Sequence, residues 1–102
     1  MAQIKIPFKP EMAKQIWLGR KTVTRRYKKY GNVGDYFFIK SCGTEQKYTL
    51  TRVYKEELGK VDEEEAKKEG FDSFNGFVSL WIKIHPGRGF TDSDLVWVHR
   101  WD

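Results

Sequence analysis

A chain of 102 residues has room for one domain, and its four Trp, five Tyr and seven Phe can fill a core without a disulfide or a metal. One cysteine, Cys42, excludes an internal disulfide, no Cys/His cluster has zinc-ligand spacing, and a net charge of +5 is by itself weak evidence for a nucleic-acid partner. We therefore expect one domain over residues 1–102, without metal or cofactor. Because no apolar run could span a membrane and the N-terminus has no signal-peptide core, we also expect a cytoplasmic protein.

The first half of the chain predicts two strands and a helix. Alternating apolar residues predict a strand over Gln3–Phe8. A proline suited to the first helical position and a glycine suited to the end predict a helix from Pro10 to Gly19. Extended chain is favoured over Lys21–Thr24, and the composition of residues 30–35 is typical of a turn. The aromatic segment Tyr36–Lys40 is then predicted to be a strand buried on both faces.

The second half predicts a return strand, two helices and a closing strand. A turn at residues 41–44 leads into an antiparallel partner over Tyr48–Tyr54. A capping box predicts a helix over Glu63–Glu69, and apolar residues at helical spacing predict another over Phe74–Ile82. The alternating segment Leu95–Trp101 predicts the last strand.

This order of elements predicts the fold class. The strands follow one another too closely for crossover helices, which favours a mostly antiparallel sheet. We therefore expect an α+β fold in which short strands curl into a small β-barrel with flanking helices.

The segment Gly19–Arg26 is the most informative part of the chain, since it places an amine, two hydroxyls and three guanidinium groups directly after a helix end. In a regular strand Lys21 and Thr24 would point to opposite faces, so both reach one pocket only if the chain turns after Gly19. The alternative is a polar connection whose cations are simply solvated.

A basic run continues from this segment. The nine residues from Lys21 to Lys29 contain five cations and no acid, and Arg20 precedes them. Such a run is typical either of a phosphate-backbone contact or of an ordinary solvated face. The cations proposed to contact nucleic acid are Arg20, Lys21, Arg25, Arg26, Lys28 and Lys29.

Acids, histidines and aromatics give weaker signals. Glu69 lies at the negative end of its predicted helix, where a carboxylate is disfavoured, and such an acid is either functional or merely tolerated. His85 and His99 are predicted to have no catalytic role, and Cys42 has no histidine placed to activate it. Exposed aromatic rings would offer base-stacking positions, but the sequence does not separate them from core.

Together these motifs resemble an ASCH domain of the PUA-like superfamily. The matching features are G-x-K-x-x-T-x-R (Gly19, Lys21, Thr24, Arg26), the turn Val33-Gly34-Asp35, Glu69-Gly70-Phe71 and the closing Val96-Trp97-Val98. The resemblance covers nearly the whole chain and implies a small β-barrel that binds RNA or a modified nucleoside in a cleft near Gly19–Arg26.

The resemblance leaves three functions open. Besides RNA or nucleoside binding, some small ASCH proteins are amidohydrolases that deacetylate acetylcytidine, which implies Lys21 as proton acceptor, Thr24 as nucleophile and Glu69 as proton donor. The acids of Glu63–Glu65 compete with Glu69 for the last role. Metal-independent ribonuclease action, attributed to one member of the family, is the third.

Overall fold

The computed structural model describes residues 1–102 and contains three α-helices and five β-strands. The helices are α1 (Pro10–Trp17), α2 (Glu63–Lys68) and α3 (Phe74–Ile84), and a short 3₁₀ turn spans Leu58–Lys60. The strands are β1 (Val23–Arg26), β2 (Tyr36–Ser41), β3 (Thr44–Thr49), β4 (Arg52–Glu57) and β5 (Leu95–Arg100). The longest helix has 11 residues, and no helix has the length and apolar character needed to cross a membrane.

The strands form two antiparallel sheets. One is three-stranded in the order β1-β5-β4, and the other is the β2-β3 hairpin. The predicted α+β class with antiparallel sheets is confirmed. Hydrogen bonding does not close the two sheets into one barrel, so the barrel stays a prediction.

The hydrophobic core consists of two clusters. The first packs α2 and α3 against the three-stranded sheet and is built on Leu58, Ala66, Phe77, Trp81 and Val96, among others. The second packs α1 and the N-terminal segment against the hairpin, and its buried members are Ile6, Ile16, Phe37, Ile39 and Leu50. Strand β1, whose first three residues are buried, lies between α1 and α2 in the chain and carries the polar side chains of the site.

Helix ends follow the predicted chemistry. The Asp62 side chain accepts a hydrogen bond from the Glu65 N–H at 2.9 Å and begins α2. The N-cap of α3 is Ser73, whose hydroxyl accepts a hydrogen bond from the Gly76 N–H at 3.1 Å. The Asp62 cap fixes where α2 begins, and therefore where Glu65 and Glu69 project.

Three strand predictions are wrong in part. Residues 3–8 form only one bridge, between Gln3 and Tyr36, because the segment then leaves the edge of β2. β2 is buried on one face, since Phe38 on its other face is 38% exposed. The single strand predicted over Tyr48–Tyr54 is two, because the chain changes sheets where the buried Leu50 enters the core.

Candidate functional site

The chain bends between α1 and β1 and so brings Lys21 against the end of α2. Gly19 adopts a positive φ of 77°, which glycine tolerates and other residues disfavour. Lys21 then forms an isolated antiparallel bridge with Glu69, and the Thr22 N–H donates to the Lys68 carbonyl at 2.8 Å. The regular strand begins only at Val23, so Lys21 is freed from the alternation that would have separated it from Thr24.

Gly70 allows this close approach. Its φ is 101°, and a Cβ at this position would lie 3.3 Å from the Cβ atoms of Lys21 and Gln15. We expect Gly70→Ala to lower the free energy of unfolding by about 1–3 kcal/mol more than Gly87→Ala does. Both variants place alanine at a positive φ, but only at position 70 does the added Cβ also contact neighbouring atoms. Gly87 has φ 89° and nothing within 4 Å of the added Cβ. Chemical denaturation of the two variants measures the difference, and equal losses would contradict close packing at Gly70.

Glu69 is the centre of a buried ion-pair network. The Lys21 ammonium donates to the Glu69 carbonyl oxygen at 2.8 Å and to its Oε1 at 3.0 Å. The Arg25 guanidinium donates to Glu69 Oε2 at 2.9 Å. The Lys21 and Glu69 side chains are only 3% and 4% exposed, and that of Arg25 is fully buried. Both oxygens of Glu69 are thus paired with cations.

A second carboxylate extends the network away from the cavity. Glu65 Oε1 accepts from Arg25 at 2.6 Å and also from Arg100. Burial alone would raise the pKa of Glu65, but the hydrogen bonds from Arg25 and Arg100 outweigh it and hold that pKa below its usual range. Arg100 in turn donates to the Tyr54 hydroxyl at 3.0 Å. The network therefore ties β1, α2, β4 and β5 together.

Burial lowers the pKa of the Lys21 amine. Desolvation penalises the charged ammonium, Arg26 and Arg25 lower its pKa further, and Glu69 opposes them without reversing the shift. A neutral amine keeps two N–H donors, the number Lys21 uses towards Glu69, and leaves a nitrogen lone pair available. Lys21 can thus hold its place in the network whether or not it carries the third proton.

Lys21 and Thr24 open onto a cavity of about 370 Å³. This is within the range of small-ligand sites in proteins, which run from roughly 300 to 1,000 Å³. Its polar lining includes Lys21, Thr24, Arg26 and Glu69. Aromatic side chains form much of the wall: Phe8, Tyr27, Tyr30, Phe71, Phe77 and Trp81.

Arg26 lines this cavity and, unlike Lys21 and Arg25, forms no ion pair with an acid. Its guanidinium lies 5.1 Å from the centre of the Phe8 ring and 5.6 Å from that of Tyr30. It donates to the Pro7 carbonyl at 2.7 Å and to the Thr24 hydroxyl at 3.3 Å, and burial lowers its pKa. A guanidinium has five N–H donors, so Arg26 keeps donors available for a ligand.

The buried His99 side chain supports the backbone of the segment that lines the cavity. Its Nε2 accepts from the Tyr30 N–H at 3.0 Å, so the proton is on Nδ1, which lies 3.3 Å from the Thr24 carbonyl. Burial lowers the pKa of this fully buried imidazole, and the neighbouring Arg26 lowers it further. Both ring nitrogens are therefore occupied by backbone groups at the two ends of the segment that lines the cavity.

Comparison with known proteins decides the fold. No protein-family model and no curated protein matches the chain. A crystal structure of an ASCH domain from Lactobacillus crispatus JV V101 is similar to it, with a TM-score of 0.63 over 97% of this chain and 76% of that one, at 16% sequence identity. The chain has the ASCH-domain fold. The resemblance in fold that the sequence motifs implied is confirmed.

Within the ASCH fold, Lys21, Thr24 and Glu69 line the same cavity. Of the competing acids, Glu65 belongs to the ion-pair network, Glu63 accepts from the Phe74 N–H at 3.1 Å, and Glu64 is exposed. Glu69 is the member of this group that lines the cavity. No three His, Cys, Asp or Glu side chains are arranged to hold a metal ion.

The basic run divides into separate environments. Arg25 is buried in the network and so does not reach a phosphate in this structure. Arg26 and the exposed Lys28 line the cavity, whereas Arg20 and Lys29 are exposed outside it. Only part of the run therefore presents cations to a ligand at the cavity.

Sequence reasoning missed Glu65, Arg100 and His99 as supports of the site. Arg100 and Glu65 are 35 residues apart and meet only because β5 is the central strand of its sheet. An arginine and a histidine at successive positions of an otherwise apolar strand were the available signal, since buried polar side chains require partners.

Proposed function

We propose that this chain binds RNA or a modified nucleoside by receiving one base in the cavity of its ASCH fold. The observation that carries the proposal is a cavity of about 370 Å³ that combines aromatic walls with a guanidinium free of acid partners. Aromatic rings stack on any base, and arginine reads base carbonyls and phosphates through its N–H groups. The closed PUA-like barrel expected from the resemblance is part of this proposal.

Arg26 is the residue on which binding should depend most directly. Its stacking against Phe8 and Tyr30 holds the guanidinium plane in place, so little freedom is lost when a ligand binds. Exposed Lys28, whose ammonium is 5.2 Å from the Tyr30 ring centre, would attract a neighbouring phosphate. Arg25 has no such role in this proposal because its side chain is buried and paired.

We expect Arg26→Gln to weaken binding of nucleosides and short RNAs by about ten- to hundredfold, the loss of a charge-assisted hydrogen bond of about 1.5–3 kcal/mol. Calorimetric titration of both ligand classes at two salt concentrations measures it, with Arg52→Gln as the control. Arg52 is likewise a strand arginine over an aromatic ring, 4.8 Å from the centre of Tyr54, but it is exposed and does not line the cavity. Equal losses in the two variants, or no binding by the unaltered protein, would contradict the proposal.

A second candidate, amide hydrolysis on an acylated cytidine, is favoured by one specific observation. The amine of Lys21, with its lowered pKa, and the hydroxyl of Thr24 line one cavity. In this mechanism Thr24 Oγ1 attacks the amide carbonyl while Lys21 takes its proton, the C–N bond breaks as the amine leaves with a proton, and water releases the acyl group from Thr24.

The surroundings of Glu69 bear on its part in that mechanism. An acid that protonates the leaving amine needs a carboxyl oxygen that is free to donate towards the substrate. Both carboxyl oxygens of Glu69 instead accept hydrogen bonds, Oε1 from the Lys21 amine and Oε2 from the Arg25 guanidinium. Lys21 is therefore assigned as the group that protonates the leaving amine, using the proton that it has accepted from Thr24. Glu69 holds the Lys21 side chain in position.

Metal-independent ribonuclease action has the least support of the three functions. Such an enzyme needs an acid and a base at the scissile phosphate. His99 is fully buried and uses both ring nitrogens towards the backbone, and the His85 Nδ1 lies 2.9 Å from the Trp81 carbonyl.

A further inference from the structure

A half-buried tryptophan with two exposed lysines over its ring lies beside the cavity, on the three-stranded sheet. Trp97 of β5 has the Lys29 ammonium 5.0 Å and the Lys55 ammonium 5.3 Å from its ring centre. We call these three residues the Trp97 patch. Both lysines are exposed, and neither forms an ion pair with an acid.

The patch is continuous with the cavity through the register of the sheet. Trp97 pairs with Arg26 on one side and with Lys55 on the other. Directly paired residues in an antiparallel sheet project to the same face with Cβ atoms about 4.5–5.5 Å apart. Arg26 lines the cavity, so the Trp97 ring begins about one residue's width from the cavity edge.

We propose that the Trp97 patch receives the nucleotide adjacent to the one in the cavity, and that the ligand is therefore single-stranded RNA and not a free nucleoside. This inference rests on the proposed function of the cavity. The Trp97 ring supplies a stacking surface for the second base, and Lys29 and Lys55 supply the charge for the phosphate that joins the two nucleotides.

Charge favours a polyanion over other occupants of this surface. The two lysines, together with Lys28 and Arg26 at the cavity, form a row of cations none of which is neutralised by an acid. One acid, Glu57, lies two residues beyond Lys55 on the same face of β4 and pairs with neither lysine of the patch. A ligand with one negative charge per residue matches such a row, whereas a neutral nucleoside would leave it unused.

Stacking also competes favourably with the contacts it would replace. An exposed lysine over an aromatic ring gains little, whereas a base stacked on an aromatic side chain contributes more by alanine substitution. Because both lysines are long and exposed, their ammonium groups can move from the ring to a phosphate without unpacking the core.

The test compares a nucleoside with the corresponding five-nucleotide RNA, for each of the four bases. We expect the pentanucleotide to bind the unaltered protein more tightly than the nucleoside. Trp97→Ala should weaken the pentanucleotide by about ten- to hundredfold and leave the nucleoside unchanged. Trp97→Phe, which keeps a ring, should restore most of the affinity. Lys55→Ala should weaken the pentanucleotide severalfold and reduce the slope of log affinity against log salt by about one.

Lys47→Ala is the matched control for charge. Lys47 is also an exposed strand lysine over an aromatic ring, 4.3 Å from the centre of Tyr36, but it lies on the β2-β3 hairpin and outside the cavity. If Lys55→Ala and Lys47→Ala have the same effect, or Trp97→Ala binds the pentanucleotide normally while Arg26→Gln does not, the patch proposal is wrong and the cavity proposal stands. If the unaltered protein binds neither ligand, the cavity proposal itself fails.

Discussion

Glu69→Ala is expected to lower the free energy of unfolding by about 3–5 kcal/mol, because it leaves the buried Lys21 amine without a carboxylate partner and leaves one end of the buried Arg25 guanidinium unpaired. Lys21 and Arg25 each donate a hydrogen bond to a different oxygen of this carboxylate. A loss of this size is a large fraction of the stability of a small domain, which is typically about 5–15 kcal/mol. Chemical denaturation followed by tryptophan fluorescence measures it.

Glu64→Ala is the matched control on the same helix. Glu64 is exposed, and its single ion pair, with Lys68, is long at 3.9 Å, so we expect a loss below about 0.5 kcal/mol. Glu69→Gln keeps the acceptor for one hydrogen bond and should fall between the two, which preserves a measurement if the alanine variant does not fold. A loss of less than about 1 kcal/mol for Glu69→Ala would mean that water satisfies the two cations, and that the network does not hold the site together.

The sequence predicted most helices and turns of this fold, because these depend on local chemistry. Pro10, Asp62 and Gly70 mark helix boundaries through proline geometry, side-chain capping and a positive φ, all of which act within a few residues. The bend after Gly19 stayed open in the sequence, where a solvated polar connection was the alternative; the structure has this bend, with Gly19 at a φ of 77°.

Which sheet a strand joins depends on contacts between residues that are far apart in the sequence, and the local pattern does not show them. Residues 48–54 read as one alternating segment, yet Tyr48 pairs with Phe37 in the hairpin, whereas Tyr54 pairs with Val98 in the other sheet. The break between them occurs because Leu50 is drawn into the core beneath α1. Which core a buried residue joins is decided by packing between distant segments.

The basic run also shows that the sequence alone could not predict which of its cations would be buried. Arg25 and Arg26 are neighbours and have the same chemistry, but strand alternation sends them to opposite faces. Arg25 pairs with Glu65 and Glu69 and is buried, whereas Arg26 pairs with no acid and lies against the rings of Phe8 and Tyr30. The residue at which β1 starts decides which arginine lies on which face. That start, Val23, follows directly after the bridge between Lys21 and Glu69, which are 48 residues apart in the sequence.

If the site is an amidohydrolase, Lys21→Met is expected to reduce turnover of acetylcytidine by about 10²–10⁴-fold, the usual contribution of a positioned base. Methionine keeps the volume of the side chain and leaves the pair between Arg25 and Glu69 intact. Turnover in the unaltered protein should rise with pH through the lowered pKa of Lys21, since the neutral amine is the form that accepts a proton. Chromatography of released cytidine across a pH series measures both effects.

Two substitutions of Thr24 distinguish a nucleophilic hydroxyl from a structural one in the same assay. Thr24→Ser keeps the oxygen and should retain turnover, whereas Thr24→Val keeps the shape, removes the hydroxyl and should abolish it. Loss of activity in Thr24→Ser as well would point to disturbed packing around the missing methyl group, because Thr24 is buried and serine keeps the hydroxyl. If the unaltered protein releases no cytidine at any pH, hydrolysis is contradicted. The lowered pKa of Lys21 is then only a consequence of its burial beside Glu69, and the cavity remains a binding site.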